Sequence, residues 1–123
     1  MELIKIDDFV KMENPGPGQR YRQDIITDKE KAAHLFGIFI ILTPGENVPY
    51  HYHAERESLI CAISGEATET VEGKEFQFKA GDVLYIPAGE KHGMANKTNE
   101  EFRFLEFYTG SPGVDDRILV NNS

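Results

Sequence analysis

The chain has little positive charge, and this shortage excludes several classes of partner. Thirteen Lys and Arg residues stand against 21 Asp and Glu residues, which gives a formal net charge of -8. Binding to nucleic acid requires clustered cations that neutralise phosphates, and anionic membrane surfaces attract basic segments in the same way. We therefore expect neither nucleic acid nor a membrane among the partners of this protein.

Cysteine and long apolar runs are also scarce. Cys61 is the single cysteine, so a disulfide within the chain is excluded and nothing requires an oxidising compartment. The longest apolar run, Leu35–Leu42, is far shorter than the ~20 residues that a membrane-spanning helix needs. The first residues lack the basic stretch and apolar stretch of a signal peptide. These features predict a cytoplasmic protein.

Patterns typical of helices are nearly absent, and patterns typical of strands fill the chain. Short segments rich in β-branched and aromatic residues are separated by Gly, Pro and Asn, and Glu72-Gly73-Lys74 has the composition of a hairpin turn. Strands are also predicted near both termini, over 3–6 and 118–120. The 123 residues fit one domain. The sequence therefore predicts a single all-β domain of the sandwich or barrel type, with little or no helix.

Two of the four histidines lie close together in a segment that begins at Gly45. His51 and His53 are two residues apart, which on a strand places both imidazoles on one face, roughly 6 to 7 Å apart along the chain. Glu57 lies an even number of residues further on and would share that face if the strand continued. Imidazole nitrogens with a carboxylate oxygen suit first-row divalent metals and leave positions open for a substrate.

A second segment supplies another histidine. A predicted strand after Gly81 leads into the turn Pro87-Ala-Gly89, and His92 follows on what would be the next strand. A turn of this kind returns the chain antiparallel to itself. We therefore expect His92 to approach the pair formed by His51 and His53.

The spacing of these residues resembles the two sequence motifs of the cupin family. The first motif, G-x5-H-x-H-x3/4-E-x6-G, is matched by Gly45, His51, His53, Glu57 and Gly65. The second motif, G-x5-P-x-G-x2-H-x3-N, is matched at every fixed position by Gly81, Pro87, Gly89, His92 and Asn96. Motifs and spacer together cover 45–96.

The resemblance implies a fold, a metal site and an assembly. The fold would be one double-stranded β-helix, or jelly-roll barrel, over 1–123. The site would hold one divalent transition metal ion, Mn, Fe, Ni, Zn or Cu, with four ligands: His51, His53, Glu57 and His92. Small cupins are commonly homodimers, and the terminal segments 1–12 and 114–120 would suit contacts between two such chains.

The acidic ligand of the first motif has two candidate positions. Seven residues, and not six, separate Glu57 from Gly65, whereas counting back six residues from Gly65 gives Ser58. A one-residue bulge after Glu57 would reconcile the count, and bulges are frequent beside functional sites. Strand parity and the stronger binding of a carboxylate favour Glu57 over Ser58. Glu55 has the right parity but lies nearer to the expected turn, so it ranks third.

The last long predicted strand, 102–109, offers two charged candidates for chemistry. Alternation places Glu106 on one face and Arg103 on the other, each among apolar residues. Whichever of them faces inward beside a metal could orient a substrate or move a proton. For His34 a surface position is expected, and for Cys61 an apolar buried one.

Two functions are compatible with these motifs. As an enzyme of the dioxygenase, isomerase or lyase type, the protein would use the metal on a small oxygenated molecule, such as an enediol, a β-diketone or a hydroxy acid. The resemblance to quercetin dioxygenase-like cupins also favours an enzyme. As a non-catalytic module, it would bind or sense a small ligand. We favour the enzyme, although cupin membership by itself does not decide between the two.

Overall fold

A computed structural model describes residues 1–28, 30–111 and 113–120. In these ranges it contains one short helix and ten strands. Their bounds are α1 Ile6–Lys11, β1 Tyr21–Asp24, β2 Leu35–Leu42, β3 Asn47–His53, β4 Ser58–Ser64, β5 Glu66–Val71, β6 Lys74–Lys79, β7 Val83–Ile86, β8 His92–Ala95, β9 Phe102–Thr109 and β10 Arg117–Leu119. The prediction of an all-β chain with little helix is confirmed.

The ten strands form two five-stranded antiparallel sheets. The first sheet has the order β1-β2-β9-β4-β7, and the second has the order β10-β3-β8-β5-β6. Because strands that follow one another in sequence often belong to opposite sheets, the chain winds repeatedly around one axis. This is the jelly-roll arrangement, in which the two sheets face each other across a common core.

The main core lies between the facing surfaces of the two sheets. On β2, β4 and β9 every second side chain points inward, as strand geometry requires, and the second sheet adds its own apolar residues. The buried members include Ile38, Ile40, Leu42, Ile60, Ala62, Ala67, Phe78, Ile86, Met94, Phe102 and Phe104. Their burial supplies the main driving force for closing the barrel.

The N-terminal strand prediction is wrong: residues 1–5 form no strand, and α1 follows them. Asp7 in its first turn and Lys11 in its last complement the helix dipole, and their side chains pair at 2.7 Å. Phe9 packs on Phe39, with ring centroids 4.8 Å apart. The N-terminal segment therefore covers part of the outer face of the first sheet of its own chain.

The C-terminal strand is present close to its predicted position. β10 pairs antiparallel with β3 of the same chain, with Arg117 opposite His53 and Leu119 opposite His51. This pairing brings the C-terminal segment beside two of the predicted ligands. Contacts between this segment and a second chain stay a prediction.

Within the described ranges, no helix has the length and apolar character needed to cross a membrane.

Candidate metal centre

Three histidines converge inside the barrel. β3 and β8 are neighbours in the second sheet, and His51 lies directly opposite His92, with His53 two residues further along β3. One nitrogen of each ring lies within 4.8 Å of the corresponding nitrogens of the other two rings. All three side chains are buried. The predicted meeting of His92 with the pair on β3 is therefore present in the structure.

A β-bulge on β3 helps to bring these rings together. Val48 pairs with Met94 and His51 pairs with His92. Between these two pairs the chain advances by three residues on β3 but by only two on β8. Pro49 lies in this interval, and its lack of an N–H group removes one ladder hydrogen bond. A bulge bends its strand and changes the direction of the side chains that follow. His51 is the first histidine after the bulge.

Hydrogen bonds to backbone carbonyls fix the orientation of two of the rings. His51 Nδ1 lies 2.7 Å from the carbonyl oxygen of Pro49, and His92 Nδ1 lies 3.0 Å from that of Glu90. A carbonyl oxygen can only accept, so each Nδ1 must carry the proton. The lone pair of each neutral ring is therefore on Nε2, the nitrogen that remains for a metal ion.

His53 is oriented by a carboxylate from the C-terminal segment. Its Nδ1 lies 2.8 Å from Oδ1 of Asp116, and Oδ2 of Asp116 accepts hydrogen bonds from the backbone N–H groups of Glu55 and Arg56, both at 2.9 Å. Partial burial alone would raise the pKa of Asp116, but these hydrogen bonds hold it below its ordinary value. A charged carboxylate behind a ligating histidine fixes its tautomer and increases its basicity.

Burial also prepares the three rings for a metal. The pKa values of His51, His53 and His92 are all lowered, mainly because burial disfavours the charged imidazolium. Neutral imidazole is the form that binds metal, so little proton displacement opposes binding at neutral pH. The donor set, its tautomers and its charge state together fit one divalent transition metal ion.

We expect the Asp116→Asn change to lower affinity for Zn²⁺ or Ni²⁺ by about 10- to 100-fold, because the amide removes the charge that supports His53. Metal titration against a competing chelator at pH 7.5 measures this. Asp115→Asn is the matched control, since Asp115 contacts only the backbone N–H of Arg117 among the hydrogen bonds described for it. Equal affinities for both variants would contradict the orienting role of Asp116.

The structure does not place Glu57 with the histidines. β3 ends at His53, and residues 54–57 form a turn before β4 begins at Ser58, so the parity argument for one continuous strand does not apply. Glu57 is exposed, and its carboxylate accepts a hydrogen bond of 2.9 Å from the hydroxyl of Tyr85. Ser58 is the residue that is buried, and Glu55 is exposed. The role of Glu57 as fourth ligand stays a prediction.

The two charged candidates of β9 lie on opposite faces of the first sheet. Glu106 lines the cavity that contains the histidines, where Arg56 donates to its carboxylate at 2.6 Å. The Arg56 guanidinium also stacks on the ring of Tyr108 at 3.5 Å from its centroid. Glu106 is thus held in a fixed, largely buried ion pair in the same cavity as the three histidines.

Arg103 belongs to the outside of the first sheet. Its guanidinium donates to the backbone carbonyl oxygens of Phe9 and Met12 and to the carboxylate of Glu101. These contacts attach the N-terminal segment to the barrel. Arg103 does not line the histidine cavity.

Sequence reasoning missed Glu69, which lies on β5 and lines the same cavity. The residue is only 1% exposed, and neither of its carboxyl oxygens has a hydrogen-bond partner. Burial raises its pKa to about 8, and the negative charge of Glu106 adds to the shift. A signal was available in the sequence. Glu69 is two residues from both Ala67 and Val71, so it lies on the same inward face of β5 as these apolar residues.

The cavity is small and has a charged mouth. It encloses about 120 Å³, and apolar side chains from both sheets line it together with the three histidines and the two carboxyl groups. Exposed arginines stand at its opening: Arg20, Arg22 and Arg117. In a chain of net charge -8, this grouping of cations marks the mouth as a place for anionic groups.

Glu69→Met is expected to stabilise the protein. Removing a buried carboxyl group without partners should raise the free energy of unfolding at pH 7 by about 1 to 3 kcal/mol. Urea unfolding measures this change. Glu66→Met at the exposed start of the same strand is the control, and it should change stability by less than about 0.5 kcal/mol.

The stabilisation by Glu69→Met should depend on pH in a defined direction. The carboxyl pKa rises from 4.5 to about 8 on folding, so between these values the folded state holds a proton that the unfolded state releases. Wild-type stability therefore loses a contribution as pH rises through this window. The gain from Glu69→Met should be larger at pH 8 than at pH 4.5, and a constant gain would contradict the assigned shift.

The fold and the histidine group together define a class: small double-stranded β-helix proteins with a potential metal centre inside the barrel. A family model described as a cupin domain matches residues 38–108, which is more than half of the chain. The chain belongs to the cupin family.

Three comparisons describe its similarity to individual proteins. An oxalate-binding protein from Thermotoga maritima is 34% identical over 64 residues, covering 52% of this chain and 53% of the relative. Tetracenomycin polyketide synthase protein TcmJ from Streptomyces glaucescens is 32% identical over 66 residues, covering 54% and 44%. The chain thus matches about half the length of these relatives.

A crystal structure of a protein with a double-stranded β-helix domain from Klebsiella pneumoniae superimposes with a TM-score of 0.74 at 24% identity, covering 99% of both chains. At this identity the likeness supports the fold alone.

Proposed function

We propose that this protein is a metal-dependent enzyme acting on a small, oxygenated anionic molecule. His51, His53 and His92 hold one divalent transition metal ion through Nε2. One observation carries the proposal: three neutral rings, each with its Nδ1 bonded to an acceptor, converge in a cavity that also contains inward-facing carboxyl groups. Inward polar groups beside open metal positions are what catalysis requires.

Each part of the cavity has a role in this proposal. A bound divalent ion supplies Lewis acidity, and three histidine ligands leave positions free for substrate oxygens. The arginines at the mouth attract an anionic group, and the apolar walls reduce competition from water. Glu106, fixed by Arg56, is placed to orient a substrate or to hold a proton next to the metal.

The relatives support a small oxygenated ligand. One is an oxalate-binding protein, and oxalate is a small dianion with oxygens that can chelate a metal. Another is a polyketide synthase protein. For this chain, the charge at the mouth favours a carboxylate over a neutral compound.

The proposal is tested by metal analysis followed by turnover. The purified protein is analysed for metal, stripped, and reloaded separately with Mn²⁺, Fe²⁺, Ni²⁺, Cu²⁺ and Zn²⁺. Each form is assayed on a panel of enediols, β-diketones and hydroxy acids. We expect turnover with at least one metal, and its loss in Glu106→Gln with metal affinity retained. Failure to bind any of these metals would overturn the proposal.

The fourth ligand is tested in the same metal titration. Glu57→Gln and Ser58→Ala are compared with the wild-type protein. Lower affinity in Glu57→Gln alone would support Glu57 as a ligand that the 54–57 turn delivers on metal binding. Unchanged affinity in both variants would mean that the three histidines suffice.

A non-catalytic binding module is the second candidate, and the engagement of Glu106 with Arg56 favours it. The Glu106 carboxylate is already engaged in an ion pair at 2.6 Å, so less of it is available to a substrate. If a panel compound binds tightly to the metal-loaded protein without turnover, the binding module replaces the enzyme.

We also propose that two chains associate through the outer face of the first sheet. Leu59, Val83 and Tyr85 on β4 and β7 are 42%, 61% and 55% exposed, next to the part of the sheet that the N-terminal segment covers. Adjacent exposed apolar side chains of this size are typical of interfaces. Sedimentation should give the mass of a dimer, and Val83→Glu should shift it to that of one chain.

A further inference from the structure

Glu69 is the one acid in the described part of the chain whose buried carboxyl oxygens lack any hydrogen-bond partner. It lies in the middle of β5, opposite Met94 of β8 and two residues from Val71, which is opposite His92. The side chain is directed into the histidine cavity. No hydrogen bond within the described part of the chain therefore compensates this carboxyl group for its burial.

A buried polar group without a partner destabilises the fold, and such groups persist where they have a function. Glu69 takes no part in the Arg56–Glu106 ion pair, which uses the second cavity carboxylate. It also makes no contact that orders a histidine, since all three Nδ1 atoms have other partners. No contact within the described part of the chain therefore uses this carboxyl group, and it is available to a group that arrives with the substrate.

The positions of the charged groups restrict that partner. The arginines are exposed at the mouth, whereas Glu69 is 1% exposed and lies deep in the cavity. An anionic group that enters from the mouth and chelates the metal would therefore leave the opposite end of the ligand against Glu69. A second anion there would be repelled by Glu106 and poorly solvated, but a neutral hydroxyl can both donate and accept.

We propose that Glu69 binds a hydroxyl group of the substrate, and that the substrate class is small hydroxy acids with at least one hydroxyl beyond those that chelate the metal. This inference rests on the proposed function of the histidine site. The cavity volume of about 120 Å³ agrees with a short molecule, since an engineered cavity of about 150 Å³ accommodates benzene.

The test uses two probes that differ by one hydroxyl group. Lactate and glycerate chelate a metal through the same carboxylate and 2-hydroxyl, but only glycerate carries a 3-hydroxyl. Calorimetry measures both on the Ni²⁺-loaded protein at pH 7.5. We expect glycerate to bind about tenfold more tightly than lactate, the factor that one satisfied buried hydrogen bond gives.

Glu69→Met should reduce this preference to less than about twofold, whereas Glu69→Gln, which keeps hydrogen-bonding capacity, should retain part of it. Glu66→Met controls for a change elsewhere on β5. An infrared readout is independent of affinity: the carboxyl stretch lost in Glu69→Met should shift when glycerate is added and not when lactate is added.

The outcomes separate this inference from the proposed function. If the wild-type protein does not bind Ni²⁺, the metal site itself is overturned. If Ni²⁺ still binds, three results would overturn the role of Glu69 and leave the metal site intact. These are equal affinity for both probes, binding of neither probe, and the same preference for glycerate in Glu69→Met as in the wild-type protein.

Discussion

His92→Ala is expected to lower the affinity for a divalent transition metal by more than about 100-fold. Substitutions behind a ligand already lower affinity by about 10- to 100-fold, and this change removes a ligand itself. The two remaining rings of β3 would hold the ion with one nitrogen fewer. Titration of the stripped protein with Zn²⁺ against a chelator measures the loss directly.

Thermal unfolding provides a second readout for the same variant. A metal present at 100 times its dissociation constant should stabilise the wild-type protein by about 2.7 kcal/mol. At the same metal concentration, the metal should stabilise His92→Ala by less than about 1 kcal/mol, because its site is no longer saturated.

His34→Ala is the matched control for His92→Ala. His34 is the fourth histidine of the chain, exposed, and outside the group formed by the other three. Its loss should leave both metal affinity and metal-induced stabilisation unchanged. If His92→Ala behaved like His34→Ala, the convergence of the three rings would have no role in metal binding.

The part of the histidine site that depends on local geometry could be predicted from the sequence. The separation of His51 and His53 by two residues determines their common face on any strand. The turn Pro87-Ala-Gly89 is expected to return the chain antiparallel to itself, but it leads from β7 in the first sheet to β8 in the second, where His92 pairs with His51. The common face of His51 and His53 follows from a short segment, whereas the pairing of β8 with β3 joins distant parts of the chain. The resemblance to the two cupin motifs, and not local geometry, predicts that pairing.

The acidic groups could not be predicted in the same way, because their positions depend on where strands end and how sheets face each other. The parity argument for Glu57 assumed a continuous strand, but a turn separates β3 from β4. Asp116 reaches His53 across 63 positions of sequence. Nothing in the local pattern around 114–118 indicates that this segment pairs with β3.

The N-terminal segment shows a conflict between two patterns. The apolar residues at 3–6 predict a strand, whereas Asp7 and Lys11 are four residues apart and stabilise one turn of helix. The apolar side chains of the segment pack on the outer face of the first sheet. This tertiary contact, which the sequence does not reveal, decides in favour of the helix.

Gly65→Ala is expected to be the most destabilising single change at a turn of this barrel. Gly65 joins β4 of the first sheet to β5 of the second and has a φ of +78°. A Cβ at this position would collide with the backbone carbonyl oxygen of Glu101. Because the obstacle is backbone next to β9, it cannot move aside as a flexible side chain would.

The expected loss for Gly65→Ala has two parts. A left-handed conformation costs a non-glycine residue about 1 to 2 kcal/mol. To relieve the collision, either the β4–β5 turn or the backbone at Glu101 must move. We expect a total of about 3 to 5 kcal/mol, within the range of severe single mutations. This is a large fraction of the 5 to 15 kcal/mol that stabilises a typical domain.

Gly73→Ala separates the two contributions to this loss. Gly73, in the hairpin between β5 and β6, has the same φ of +78°, but a Cβ there would meet nothing within 4 Å. It should therefore lose only the conformational part, about 1 to 2 kcal/mol. Urea unfolding of both variants gives the difference, which measures how closely the Gly65 turn approaches the strand it crosses. Equal losses would mean that the turn relaxes freely, and that Gly65 occupies its motif position for its φ angle alone.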